Sequence, residues 1–169
     1  MRFTVFGLIL MIVIAFFSQS QAQNMNRRGT VMISTNPLKW IYCIPNFEIE
    51  YYFASSVSVQ LCSEYLLSDW VVKRDKHPDF VSRVGVRYHL CSDKDFGDKH
   101  DPYLGTYFGN SWSKSFPEKE GFNLGLEGGY KYQLTSLIYL NTKVLLTYNV
   151  KEAKILPGFE CLFGYILKK

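Results

Sequence analysis

Beyond about residue 30 the chain alternates apolar and polar positions with a period of two, in runs separated by turn-forming residues, and no stretch holds a helical period. The pattern predicts strands over 30–39, 46–54, 56–69, 79–91, 102–112, 121–132, 136–149 and 157–167. In the sixth run Phe122, Leu124, Leu126, Gly128, Tyr130 and Tyr132 share one face, opposite Asn123, Gly125, Glu127, Gly129 and Lys131. The eighth sets Phe159, Cys161, Phe163, Tyr165 and Leu167 against Gly158, Glu160, Leu162, Gly164 and Ile166. The fourth and second repeat the scheme: Phe80, Val84, Val86 and Tyr88 oppose Arg83, Gly85, Arg87 and His89, while Phe47, Ile49 and Tyr51 oppose Glu48, Glu50 and Tyr52.

Two architectures fit eight such strands. A soluble periplasmic barrel of the lipocalin kind points the apolar row inward, around a small apolar ligand. A membrane barrel inverts this, with lipid outside and a polar lumen. Glycine discriminates: Gly85, Gly105, Gly109, Gly125, Gly129, Gly158 and Gly164 all fall on the charged row. Glycine weakens a solvent-facing strand for no gain, whereas in a narrow lumen it makes room for long charged side chains opposite. The expected fold is therefore all-β, an eight-stranded antiparallel up-and-down transmembrane β-barrel. Lipid leaves no backbone donor unpaired, so residues 30–39 and 157–167 must be neighbours that close the sheet.

The N-terminus sets the compartment. Arg2 precedes an uncharged apolar stretch, Phe3 to Phe17, and Ser20 and Ala22 stand in the small-x-small arrangement read by signal peptidase. The stretch is shorter than the ~20 residues that span a bilayer as a helix. The expected division is a cleavable signal peptide at 1–22, a short periplasmic segment at 23–29 and the barrel at 30–169, in the outer membrane of a Gram-negative cell. Removing 22 of the 169 residues leaves 147, one ordinary domain. Arg2 is the leader's one charge, so the net charge falls from +4 to +3. A mild excess with no basic run argues against nucleic acid as a partner.

Aromatic residues make up 17% of the chain, with 12 Tyr and 13 Phe, and girdles at two membrane interfaces consume such residues. Trp40, Trp70, Trp112, Tyr132 and Tyr165 are the expected interface anchors. Cys43, Cys62, Cys91 and Cys161 fall at different heights and faces, which favours free thiols over disulfides. No cysteine pair has metal-ligand spacing.

Ser34-Thr35-Asn36-Pro37-Leu38-Lys39-Trp40 followed by Ile44-Pro45-Asn46-Phe47-Glu48-Ile49-Glu50-Tyr51-Tyr52-Phe53 resembles an uncharacterised family of small outer-membrane β-barrels common in Bacteroidota. Their N-terminal hairpin carries Thr-Asn-x-Leu and then Pro-Asn-x-x-x-Glu, here Thr35, Asn36, Leu38, Pro45, Asn46 and Glu50. The resemblance implies fold and membrane and no activity. It also implies outer-membrane lipid and the barrel-assembly machinery as partners. One departure is the end of the chain, Ile166-Leu167-Lys168-Lys169, where such barrels often finish on an aromatic; Tyr165 is the last aromatic position here.

On this strand map Glu48, Glu50, Glu64, Glu127 and Glu160 face inward with Arg83, Arg87, Lys131 and Lys143. Buried charges survive when paired and hydrogen-bonded, so the set reads as an ion-pair plug, the alternative being a gated ion pathway. A lipid-modifying barrel enzyme would need Ser, His and an acid together at one rim. His77 and His100 lie in loops, His89 approaches no serine–acid pair on the map, and Asp69, Asp75 and Asp79 read as solvated loop charges. No catalytic residue, cofactor site or metal site is expected. With a periplasmic N-terminus the outer loops are 40–45, 70–79, 113–120 and 150–156, candidates for contact with a surface glycan or protein ligand. The charged Ser92-to-Asp101 segment is then a long periplasmic turn.

Overall fold

The structure, a computed structural model, describes residues 27–67, 78–90, 99–114 and 120–168. The expected signal peptide, Asp69, Trp70, Asp75, His77, Cys91 and residues 92–98 of the charged turn lie outside them. Eight strands close into an antiparallel barrel in sequence order: β1 (Val31–Thr35), β2 (Asn46–Tyr52), β3 (Val57–Tyr65), β4 (Phe80–His89), β5 (His100–Trp112), β6 (Gly121–Gln133), β7 (Ile138–Asn149) and β8 (Lys154–Lys168). β1 pairs with β8, with Ile33 opposite Tyr165, so the predicted closure is present.

The first strand ends sooner than the alternation implies. Residues 37–41 form a short helix, α1 (Pro37–Ile41), where a strand to residue 39 was expected. Pro37 has no N–H for a ladder, and the Asn36 side chain accepts a hydrogen bond from Leu38 N at 3.0 Å, which caps the helix. Asn36 N in turn donates to Asn46 Oδ1 at 2.8 Å, tying the cap to the start of β2. Because β1 stops at Thr35, opposite Phe163, residues 154–162 of β8 have no β1 partner. Pro157 sits in that one-sided stretch, where its missing N–H costs no ladder bond. The helix packs against β8.

The faces settle the polarity. Phe122, Leu126 and Phe159 are 66%, 59% and 67% exposed, whereas Glu127 and Lys131 are buried at 4% and 3%. Apolar side chains thus cover the outside and charge fills the inside, opposite to a lipocalin-like barrel. The helix end of the barrel carries α1 and the connections after β3, β5 and β7; the other end carries both described termini.

Candidate functional site in the lumen

The middle of the lumen is built around Arg87, which has no exposed surface. Its Nη1 lies 2.7 Å from Glu48 and 2.6 Å from Glu50, both on β2, and its Nε lies 2.6 Å from Glu127 on β6. Three carboxylates around one guanidinium need further cations. Lys143 meets Glu48 at 2.5 Å, and Lys131 meets Glu50 at 2.6 Å. Gln60 adds an amide donor to Glu127 at 2.5 Å.

Lys143 also reaches Glu160 at 3.1 Å, which links this layer to one at the helix end. There Arg83 pairs with Glu64 and, at 3.0 Å, with Glu160. Lys39 on α1 inserts its Nζ between the same two carboxylates, at 2.8 and 2.6 Å. Burial works against the charge of Lys39, but Glu160 and Glu64 more than offset it and hold its pKa above the usual lysine value. Above these pairs is a cavity of about 380 Å³, lined among others by Ser111, Asn123, Thr147, Asn149 and Glu152.

The layer at the termini end corrects an expectation. His89 does meet a serine and an acid: its Nε2 is 2.8 Å from Ser58 Oγ and its Nδ1 is 2.9 Å from Asp101 Oδ1. Asp101 is therefore not a turn residue. β5 starts at His100, two residues earlier than expected, and Asp101 shares the inward parity of Tyr103 and Tyr107. Extending that alternation across Pro102 would have found it. Arg27 closes this end with a 2.7 Å bridge to Asp101. The constellation resembles a hydrolytic triad but is wired differently. Ser58 is fully buried and donates its hydrogen to Glu50 at 2.5 Å, so the hydroxyl is engaged by a carboxylate inside the wall and is not presented to an open cleft.

All nine charges expected in the lumen face inward and belong to one connected network. Five acids against four bases left an excess, and the structure adds Asp101, Arg27 and Lys39. The network then holds six carboxylates and six Lys or Arg cations, with His89 beside Asp101. Two of the cations come from outside the observed strands, one at each end: Arg27 precedes the expected first strand, and Lys39, expected to end it, is carried on α1 instead.

Tyrosine rings account for three of the seven glycines on the charged row. Tyr103, Tyr107 and Tyr139 are buried, and their rings lie over Gly129, Gly125 and Gly164, their direct cross-strand partners. A Cβ at any of the three glycines would overlap the facing ring. The rings in turn face the cations: Arg87 Cζ sits 4.6 Å from the Tyr103 centroid, and Lys131 Nζ sits 5.0 Å from that of Tyr52. Charged side chains press on glycine at Gly105, beneath Glu127, and at Gly109, beneath Arg83.

On the outside, Tyr65, Phe80 and Trp112 form a row across β3, β4 and β5, with ring centroids 6.5 and 5.3 Å apart. Trp40 projects from α1, packs edge-on to Phe47 at 5.5 Å and donates from Nε1 to Thr35 Oγ1 at 2.6 Å. Tyr165 is exposed at the opposite end, and Tyr132 makes a tilted ring contact with His100 at 5.1 Å. Cys43, Cys62 and Cys161 are free thiols. Among the described residues no group of His, Cys, Asp or Glu side chains is arranged to hold a metal ion, and no helix is long and apolar enough to cross a membrane.

The same fold occurs in the N-terminal β-barrel domain of Pseudomonas aeruginosa OprF. That domain is 16% identical, with 81% of this chain and 98% of that one covered and a TM-score of 0.54. A de novo designed transmembrane β-barrel, 10% identical, covers 84% of this chain and 98% of its own with a TM-score of 0.55. The solution NMR structure of the designed barrel TMB2.3 gives a TM-score of 0.51 at 10% identity, over 86% and 100% of the two chains. Among curated proteins none matches the sequence. The family described as "Protein of unknown function (DUF3575)" matches residues 7–161.

Proposed function

The chain belongs to the DUF3575 family of proteins of unknown function, and on that footing we propose that it is a small outer-membrane β-barrel closed by its own ion pairs, with a structural or surface-contact role and no turnover. The observation that carries this reading is the inverted polarity, with Arg87 sealed among three carboxylates inside and a continuous apolar surface outside. A soluble barrel would expose that surface to water, at about 25 cal/mol for each Å² of apolar area. Hydrocarbon removes the penalty, and closure of β1 on β8 satisfies the backbone that hydrocarbon cannot.

The partners that follow are outer-membrane lipid around the wall, the aromatic anchors at its two interfaces, and the barrel-assembly machinery that inserts such chains after export through the leader at 1–22. The outer loops remain the surface for a glycan or protein ligand. The test is fractionation of native membranes, with gel migration compared before and after boiling. Partition into the outer membrane with heat-modifiable migration supports the reading, and recovery as a carbonate-soluble monomer refutes it. Purified protein in a planar bilayer should give no steady conductance.

Ser58, His89 and Asp101 favour one competing reading, a lipid-modifying enzyme. The buried hydroxyl and its bond to Glu50 weigh against it. Unchanged lipid A in cells carrying His89→Ala or Ser58→Ala supports a structural role for the cluster, whereas a lost modification establishes turnover.

A further inference from the structure

We propose that the helix-end mouth of the barrel is a binding site for small amino alcohols, and that Lys39 occupies its ammonium position as an internal competitor. Glu64 and Glu160 are almost fully buried and share two cations, Arg83 from the barrel wall and Lys39, which does not come from the wall. It arrives on α1, a five-residue helix with no buried residue, whose Leu38, Trp40 and Ile41 are all exposed. Lys39 is also the most exposed member of the cluster, at 23% against 12% for Arg83 and 3% for Glu160. A competing ammonium group therefore needs to displace only a short, weakly packed segment.

The chemistry selects the solute. An ammonium nitrogen carries three donors on a compact charge, which suits the position where Lys39 Nζ contacts one oxygen from each carboxylate. The place for a planar guanidinium is already taken by Arg83. In the same floor the buried Arg83 Nε has no acceptor, and a hydroxyl oxygen two carbons from the amine would supply one. The cavity of about 380 Å³ above has Ser111, Thr147, Asn123 and Asn149 on its wall together with the apolar Val81, Leu156 and Pro157. The site lies above the Arg87 layer and stands whether or not the lumen conducts.

The test uses the full chain refolded in detergent micelles, with Lys39→Ala and ethanolamine as the probe. Lys39→Ala should lower the melting temperature. Ethanolamine should restore it saturably, and more than about tenfold below the concentration of tetramethylammonium, which has equal charge and no N–H donor. Equal effects of the two salts, or no rescue, overturn the proposal. If Lys39→Ala does not fold, Lys39→Gln is titrated calorimetrically with both salts, and a saturable heat for ethanolamine alone is the supporting result. In the wild-type protein ethanolamine should bind more weakly than in either variant, because Lys39 competes. Equal or tighter binding there removes Lys39 from the site and refutes the assignment.

Discussion

Tyr139 lies over Gly164, its direct partner across β7 and β8, and the phenol ring takes the space that a Cβ would need. Ring and glycine together let a narrow barrel hold a bulky side chain without pushing its wall outward. Gly164→Ala should therefore displace the ring and destabilise the barrel by about 1–3 kcal/mol, the usual range for overpacking. Gly158→Ala is the control, because a Cβ there meets only ordinary contacts with Leu145 at 3.5 Å. Urea titration of both variants in micelles checks the pair, and Tyr139→Leu should recover part of the loss in Gly164→Ala.

Arg87→Met leaves Glu48, Glu50 and Glu127 short of their shared cation in a site with no exposed surface. Removing one partner of such a cluster costs about 3–5 kcal/mol, because the remaining charges stay buried. The expected outcome is loss of heat-modifiable migration at a lower temperature than wild type. Lys114→Met, exposed two residues beyond the end of β5, should leave migration unchanged.

Leu126 and Glu127 are adjacent in β6 and face opposite ways, the first 59% exposed and the second buried. In a bilayer Leu126→Arg should cost about 2–4 kcal/mol, the penalty for arginine on the lipid face near the midplane. In a soluble barrel the same change would be close to neutral. Refolding yield into vesicles, compared with wild type, separates the two.

Asn36→Ala removes the cap of α1 and should cost about 1 kcal/mol. Because α1 carries Lys39, the variant should also loosen the Lys39 bridges to Glu64 and Glu160. Proteolysis near residues 37–43, faster in the variant than in wild type, is the readout. Equal cleavage rates would mean that the Lys39 bridges alone hold the segment.

The alternation of residues along the chain was enough to number the strands, pair the first with the last and place Glu127 and Lys131 on a different face from Leu126 and Tyr130. A side-chain period of two is a local property of extended backbone, so it survives in the sequence. Where a strand stops is less local. The first strand was expected to run to residue 39, yet Pro37 and the Asn36 cap turn residues 37–41 into α1. Pro102, read as the start of a strand, lies inside one, and Asp101 was lost with it.

Parity assigns a face but not a height, and height depends on the stagger between strands that only closure sets. The meeting of Arg87 with carboxylates from β2 and β6 was decided by that stagger, as were the seating of Tyr139 on Gly164 and the approach of His89 to both Ser58 and Asp101. The end cations Arg27 and Lys39 are further still from any repeat. They lie in no strand, and only the folded chain brings them to the two mouths of the barrel, where they are the fifth and sixth cations for six carboxylates. The local period thus wrote the inside and the outside, and the long-range geometry of a closed sheet chose the partners.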